Sequence, residues 1–105
     1  MQLADIKNAL LTVTDNVKHF DATGAKGNYI VWAEDGQGDA AYADAKMQEQ
    51  TLTGTIDYYT KIEYDPDFKA IQTALDDAGI SYRLNSIQFE EATHYIHYEW
   101  VFNIG

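Results

Sequence analysis

The run from His94 to Glu99 holds two histidines and a glutamate, His94, His97 and Glu99, which offer the nitrogen and carboxylate donors of a transition-metal site. Their spacing argues against one. The run alternates as a strand does, and successive strand residues point to opposite faces, so His94 and His97 cannot share a tetrahedral ion. Asp35, Asp39 and Asp44 suggest a calcium loop, but their spacing misses the alternating acids of an EF-hand and the closing glutamate is lacking. A solvated acidic loop is expected instead. Glu90 and Glu91 are adjacent in a turn and diverge, whereas acid–base chemistry needs carboxylates converging in a cleft. There is no nucleophile elbow, glycine-rich phosphate loop or Walker lysine, and Gly24 and Gly27 bracket a turn without the preceding strand that phosphate binding requires. His19 has no partner nearby in sequence. The chain is therefore expected not to be an enzyme, with no catalytic residue, no metal and no cofactor.

The eight tyrosines are the remaining candidates. Tyr58, Tyr59 and Tyr64 cluster late in the chain's middle third, and Tyr95 and Tyr98 lie near its end. Cross-strand packing accounts for such residues. A protein interface does too, because tyrosine and tryptophan are enriched at binding hot spots.

These side chains must be positioned by regular elements. Leu3, Ile6, Leu10, Val13 and Val17 recur at three- and four-residue steps and predict an amphipathic helix of about four turns, closed by His19 and Phe20. Residues 21–27 form its exit turn. Residues 28–34 read as a short strand with Tyr29 and Val31 on one side and Ile30 and Trp32 on the other, apolar on both. Residues 35–47 read as a long loop, of the length that is usually functional. A second strand is predicted over 48–62, with Leu52, Ile56, Tyr58 and Ile62 sharing a side with Gly54, a position of bulging or close backbone approach, and Thr51, Thr53, Thr55, Asp57 and Tyr59 on the other side. Asp65 and Pro66 punctuate the start of a second helix with Phe68, Ile71 and Leu75 inward, and Gly79 stops it. Ile80 then folds back onto its last turn. A third strand over 81–89 carries Tyr82 and Leu84 on one side and Ile87 and Phe89 on the other, unless a bulge near Asn85 or Ser86 reconciles them. The last strand, from His94, puts Ile96, Tyr98, Trp100, Phe102 and Ile104 on one side and Tyr95, His97, Glu99 and Val101 on the other. The predicted fold is α+β, a single domain over 1–105: a four-stranded, mostly antiparallel sheet with two helices packed on one face, in the order α-β-β-α-β-β.

Composition sets the outer limits. A chain of 105 residues with 46 % hydrophobic residues can bury a core without staples. No cysteine is present, so disulfides and thiolate metal sites are excluded. No apolar run approaches the roughly 20 residues needed to span a bilayer, and residues 1–11 do not read as a secretory leader. The net charge of −10 repels nucleic acid phosphates, so sequence-specific DNA binding is not expected. Such a charge suits solubility, a mimic of DNA, or a surface past which DNA slides.

The second half of the chain resembles the tail-terminator or tail-completion (minor tail) proteins of long-tailed bacteriophages and prophages. The resemblance rests on Gly54-Thr55-Ile56-Asp57-Tyr58-Tyr59-Thr60-Lys61, the helix from Asp65 to Ala78, the run from Tyr82 to Glu90, and the closing run Thr93, His94, His97, Tyr98, Trp100 and Phe102. The first half agrees only in layout. The resemblance implies a subunit of a ring, commonly hexameric, that caps the tail-tube protein and presents a surface to the head-completion protein. DNA would pass through the ring without specific binding. It implies a virion component of the tail, assembled in the host cytoplasm, with no membrane partner and with residues 35–47 reaching a neighbouring subunit or the tube. The family has no catalytic residues to carry over. The strand faces and the long loop supply the candidate contact residues: Trp32, Asp35, Asp39, Tyr42, Asp44, Tyr59, Tyr95, His97 and Val101. Two other classes fit the composition, an acidic DNA-mimicking inhibitor and a small ligand-binding or hydrolase domain.

Overall fold

The computed structural model describes residues 1–38, 41–43, 46–49 and 51–105, with segments 41–43 and 46–49 described by their backbone alone. Its first helix, α1 (Leu3–Leu11), is shorter than the apolar spacing predicts. Asp5 supports its start by accepting the Gln2 N–H at 2.7 Å. Thr12, Val13 and Thr14 then form a β-branched run, and the two threonine hydroxyls compete for backbone groups. Thr12 Oγ1 donates to the Ala9 carbonyl at 2.6 Å, and Thr14 Oγ1 accepts the Asn16 N–H at 3.2 Å. Val13 and Val17 still pack against the core, but from non-helical backbone, which is why the periodicity ran past the helix end.

The chain continues as a short strand, β1 (Val17–His19), lying parallel to β2 (Tyr29–Gln37) with Val17 opposite Ile30. Left-handed backbone at Phe20 (φ 65°), Gly24 (82°) and Gly27 (69°) reverses the chain between them. The Asn16 amide ties down the same connection, donating to the Lys26 and Asn28 carbonyls, each at 2.8 Å. Across the end of the expected loop, β3 (Ala41–Ala43) and β4 (Lys46–Glu49) pair as a separate two-stranded antiparallel sheet, so that residues 48 and 49 belong to β4 and not to the long second strand predicted from residue 48. Neither stretch holds a proline or glycine to interrupt backbone pairing.

Next comes β5 (Leu52–Thr60), followed by α2 (Asp67–Asp77). Asp65 joins the two. It is buried, accepts hydrogen bonds from the Tyr58 and Thr60 hydroxyls at 2.6 Å each, and accepts the Asp67 N–H at 2.9 Å. Burial opposes its ionisation, but these donors outweigh burial and hold its carboxyl below the usual range. The helix ends as the sequence predicts. Gly79 is left-handed, its N–H bonds the Asp76 carbonyl, and the Ile80 N–H bonds the Leu75 carbonyl, both at 3.0 Å, which buries Ile80 against the last turn. Strands β6 (Ser81–Glu90) and β7 (Tyr95–Ile104) complete the chain as a hairpin.

The fold is α+β with a five-stranded mixed sheet in the order β1-β2-β5-β7-β6, only β1 being parallel to its neighbour. The four-stranded expectation missed β1, whose residues had been read as the tail of the helix. Both helices cover one sheet face. Ile6 and Leu10 of α1 and Ile71 and Leu75 of α2 share a single core with Ile30, Ile56, Trp100 and Phe102 from the sheet. Each large apolar side chain buried in this way contributes roughly 1.5–3 kcal/mol. The Trp100 indole N–H donates to Gln72 Oε1 at 3.0 Å, which fixes α2 over the sheet. Gly54 lies under the Phe102 ring and against the Ala33–Glu34 backbone, with no room for a Cβ. The predicted bulge in β6 falls between Leu84 and Ser86. It returns Ile87 and Phe89 to the same side as Tyr82 and Leu84.

Candidate functional site

The helices leave the other sheet face uncovered, and the register of three strands assembles an ionisable and aromatic cluster there. Asp57 on β5 lies opposite Glu99 on β7, and Tyr59 lies opposite His97. His97 Nε2 is 2.6 Å from Asp57 Oδ1, and its Nδ1 is 3.7 Å from Glu90 Oε2 on β6. The Tyr59 ring stacks on the imidazole with centroids 4.2 Å apart and planes inclined by 16°. The Asp57 and His97 side chains retain only 14 % and 13 % of their exposure although no helix covers them. Asn85, at the β6 bulge, donates to Glu99 Oε1 at 2.7 Å, and Arg83 donates to Asn85 Oδ1 at 2.9 Å.

The electrostatics follow from this packing. Burial pushes the Asp57 carboxyl up, the adjoining Glu99 pushes it the same way, and the His97 contact opposes both. Burial also raises the Tyr59 hydroxyl, to about 12, assisted by the negative charge of Asp57 and further acids around it. Beside the cluster three tyrosines interlock. Tyr29 stacks on Tyr59 at 4.8 Å, and Tyr95 meets both edge-on, at 5.8 and 5.9 Å. The Tyr95 hydroxyl donates to the Gly27 carbonyl at 2.8 Å, and Lys61 Nζ sits 4.9 Å above the Tyr95 ring.

A second surface runs along β6, the outer strand of the sheet on this side. Its helix-side residues extend past the helices. Leu84, Ile87 and Phe89 are exposed, the last two at 56 % and 58 %. Ile62 and Tyr64, in the connection after β5, are exposed as well. Ten residues of strand with apolar side chains and a free hydrogen-bonding edge form an adhesive surface.

The sequence-predicted contact residues divide between these environments. Tyr59, Tyr95, His97 and Val101 share the uncovered face. Trp32 does not: at 3 % exposure it is buried on the helix side, its indole N–H without a hydrogen-bond partner among the described residues. Its outward neighbours on β2 are Tyr29 and Val31. Asp35 is exposed at the irregularity between Glu34 and Gly36. Asp39 and Asp44 lie outside the described residues. Tyr42 belongs to β3 by its backbone. His94 is exposed in the hairpin turn with φ 63°, apart from the His97 cluster. His19 does have a partner, distant in sequence: its Nε2 is 2.6 Å from Glu34 Oε1 and its ring stacks on Trp32 at 3.9 Å. That contact holds the Glu34 carboxyl below its usual value.

Sequence reasoning placed Asp57 and Tyr59 on one side of their strand, and His97 and Glu99 on one side of theirs. What it lacked was the pairing of the two strands, which no local pattern encodes. Among the described residues, no helix is long and apolar enough to cross a membrane. No protein-family model matches this chain, and neither does any curated protein.

Proposed function

We propose that this chain is a structural assembly protein, a ring-forming tail terminator that caps a phage or prophage tail tube and joins it to the head connector. The observation that carries the reading is the β6 edge: a ten-residue outer strand with Leu84, Ile87 and Phe89 exposed beside its unpaired backbone. An edge of this kind invites a further strand or an apolar surface, and although the bulge at Asn85 and the charges of Arg83 and Glu90 blunt part of it, Ile87 and Phe89 stay exposed beside it. The opposite edge of the same sheet is the three-residue β1, so the two edges are not equivalent. Unlike edges suit head-to-tail contacts, which form a ring when the rotation between successive subunits closes and a filament when it does not.

Two further features support the reading. The segments that resemble tail-terminator proteins include α2 together with β5 and the β6–β7 hairpin, the strands that build both surfaces. The net charge of −10 suits a channel through which duplex DNA moves without adhering.

The test is to mix the protein with purified tail tubes and image their ends by electron microscopy. Wild-type chain is expected to form a ring at tube ends. An Ile87→Asp, Phe89→Asp double variant is expected to fold, by circular dichroism, and to leave the ends bare. Wild-type protein that never caps tubes, or a folded double variant that caps them normally, would overturn the proposal.

A further inference from the structure

Asp57, His97 and Glu99 bring three donor atoms within 4.8 Å of one another on two adjacent, fully paired strands. We propose that these three side chains form a binding site for a divalent transition-metal ion of the zinc class. One imidazole nitrogen and two carboxylates are the donors such ions take, and three protein ligands on a face without a helix leave the remaining position to water.

The geometry needs little change. Tetrahedral coordination at zinc–ligand distances of about 2.0–2.2 Å separates neighbouring donors by roughly 3.4 Å. His97 Nε2 and Asp57 Oδ1, now 2.6 Å apart, need only rotate apart by less than about 1 Å for an ion to take the place of the proton between them. The strands themselves need not move.

Three observations outside the donor set point the same way. The far nitrogen of His97 faces Glu90 Oε2 at 3.7 Å, the arrangement in which a carboxylate orients a metal-bound imidazole. Glu99 is held from behind by the Asn85 amide at 2.7 Å, which leaves its other oxygen for coordination. The Tyr59 ring stacked on His97 restricts the rotation of the imidazole. The charge balance agrees. Asp57, Glu90 and Glu99 surround one imidazole, and Asp57 and Glu99 stand directly opposite each other, a like-charge pair that destabilises a sheet and that a bound cation would relieve. His19 with Glu34 serves as an internal contrast: a histidine–carboxylate contact of the same 2.6 Å length with no third donor beside it among the described residues.

The test uses the full chain stripped of metal with a chelator and then titrated with Co²⁺, read by its visible d–d absorption. The expected result is one Co²⁺ per chain, displaced by Zn²⁺, with a rise in melting temperature on Zn²⁺ addition. His97→Gln and Glu99→Gln are each expected to weaken binding by about 100-fold or more, and Glu90→Gln by about tenfold. His94→Gln and His19→Gln are expected to change nothing. Circular dichroism establishes which variants fold. Should His97→Gln unfold, Glu99→Gln and Glu90→Gln decide the matter. Absence of Co²⁺ absorption at millimolar metal, or unchanged affinity in the folded Glu99→Gln and Glu90→Gln variants, would overturn the site. Neither result bears on tube capping, so this proposal and the assembly proposal fail separately.

Discussion

The two faces of one sheet use the same strands for opposite purposes. On the helix side, Ile30, Ile56, Trp100 and Phe102 are sealed from water, and apolar packing satisfies them. On the other side, Asp57, Tyr59, His97 and Glu99 are partly buried by one another and by neighbouring strand side chains such as Tyr29, Tyr95 and Asn85, and hydrogen bonds and ring stacking hold them. Alternation along β5 and β7 produces both faces from neighbouring residues. The contrast teaches that burial on the first face is a matter of stability, whereas the second holds ionisable groups in close contact at a cost that stability alone does not explain.

Substitutions should separate the faces by magnitude. Trp100→Ala removes the largest fully buried side chain and should cost about 4 kcal/mol in urea unfolding, with loss of the native state an acceptable extreme. A cost near that of a surface change would mean that the helix layer is not packed as described. Asp65→Asn, at the join between β5 and α2, should cost about 2 kcal/mol at neutral pH, because two hydroxyls and an N–H lose a charged acceptor. The sign with pH follows from its lowered folded-state value. The stability it supplies is present above the pKa of an unfolded aspartate and is lost as pH falls through the folded value. Wild type and Asp65→Asn should therefore converge in acid, and curves that stay parallel from neutral pH down would remove Asp65 as an ionised acceptor. Tyr59→Ala, on the uncovered face, should cost only about 1 kcal/mol, since it loses stacking on His97 and Tyr29 but leaves no sealed cavity. A cost equal to that of Trp100→Ala would erase the distinction between the faces.

How much of this was legible in the sequence depends on how local each cause is. The second helix, its glycine stop and the fold-back of Ile80 follow from a few adjacent residues and appear where the sequence puts them. The bulge at Asn85 was readable because Tyr82 and Leu84 fell out of phase with Ile87 and Phe89. Gly54 was readable as a close approach, although the identity of what approaches, the Phe102 ring and the Ala33–Glu34 backbone, was not. The helix over-ran because Val13 and Val17 keep helical spacing while Thr12 and Thr14 divert the backbone. The strand β1 was invisible, since three residues set no period. The ionisable cluster was beyond reach for a different reason. Its contact between Asp57 and His97 spans 40 residues of sequence and is made only when β5 and β7 settle in one register.

The extra residue that β6 accommodates at Asn85 sorts the molecule's two unsatisfied surfaces onto opposite sides of a layer one strand thick. A body gripping Ile87 and Phe89 leaves the Asp57–His97 side accessible, and an ion or partner lodged at His97 leaves the apolar rim free. Two guests can therefore be held at once without competing for space, and pairing β6 straight through Asn85, without the bulge, would set them at the same door.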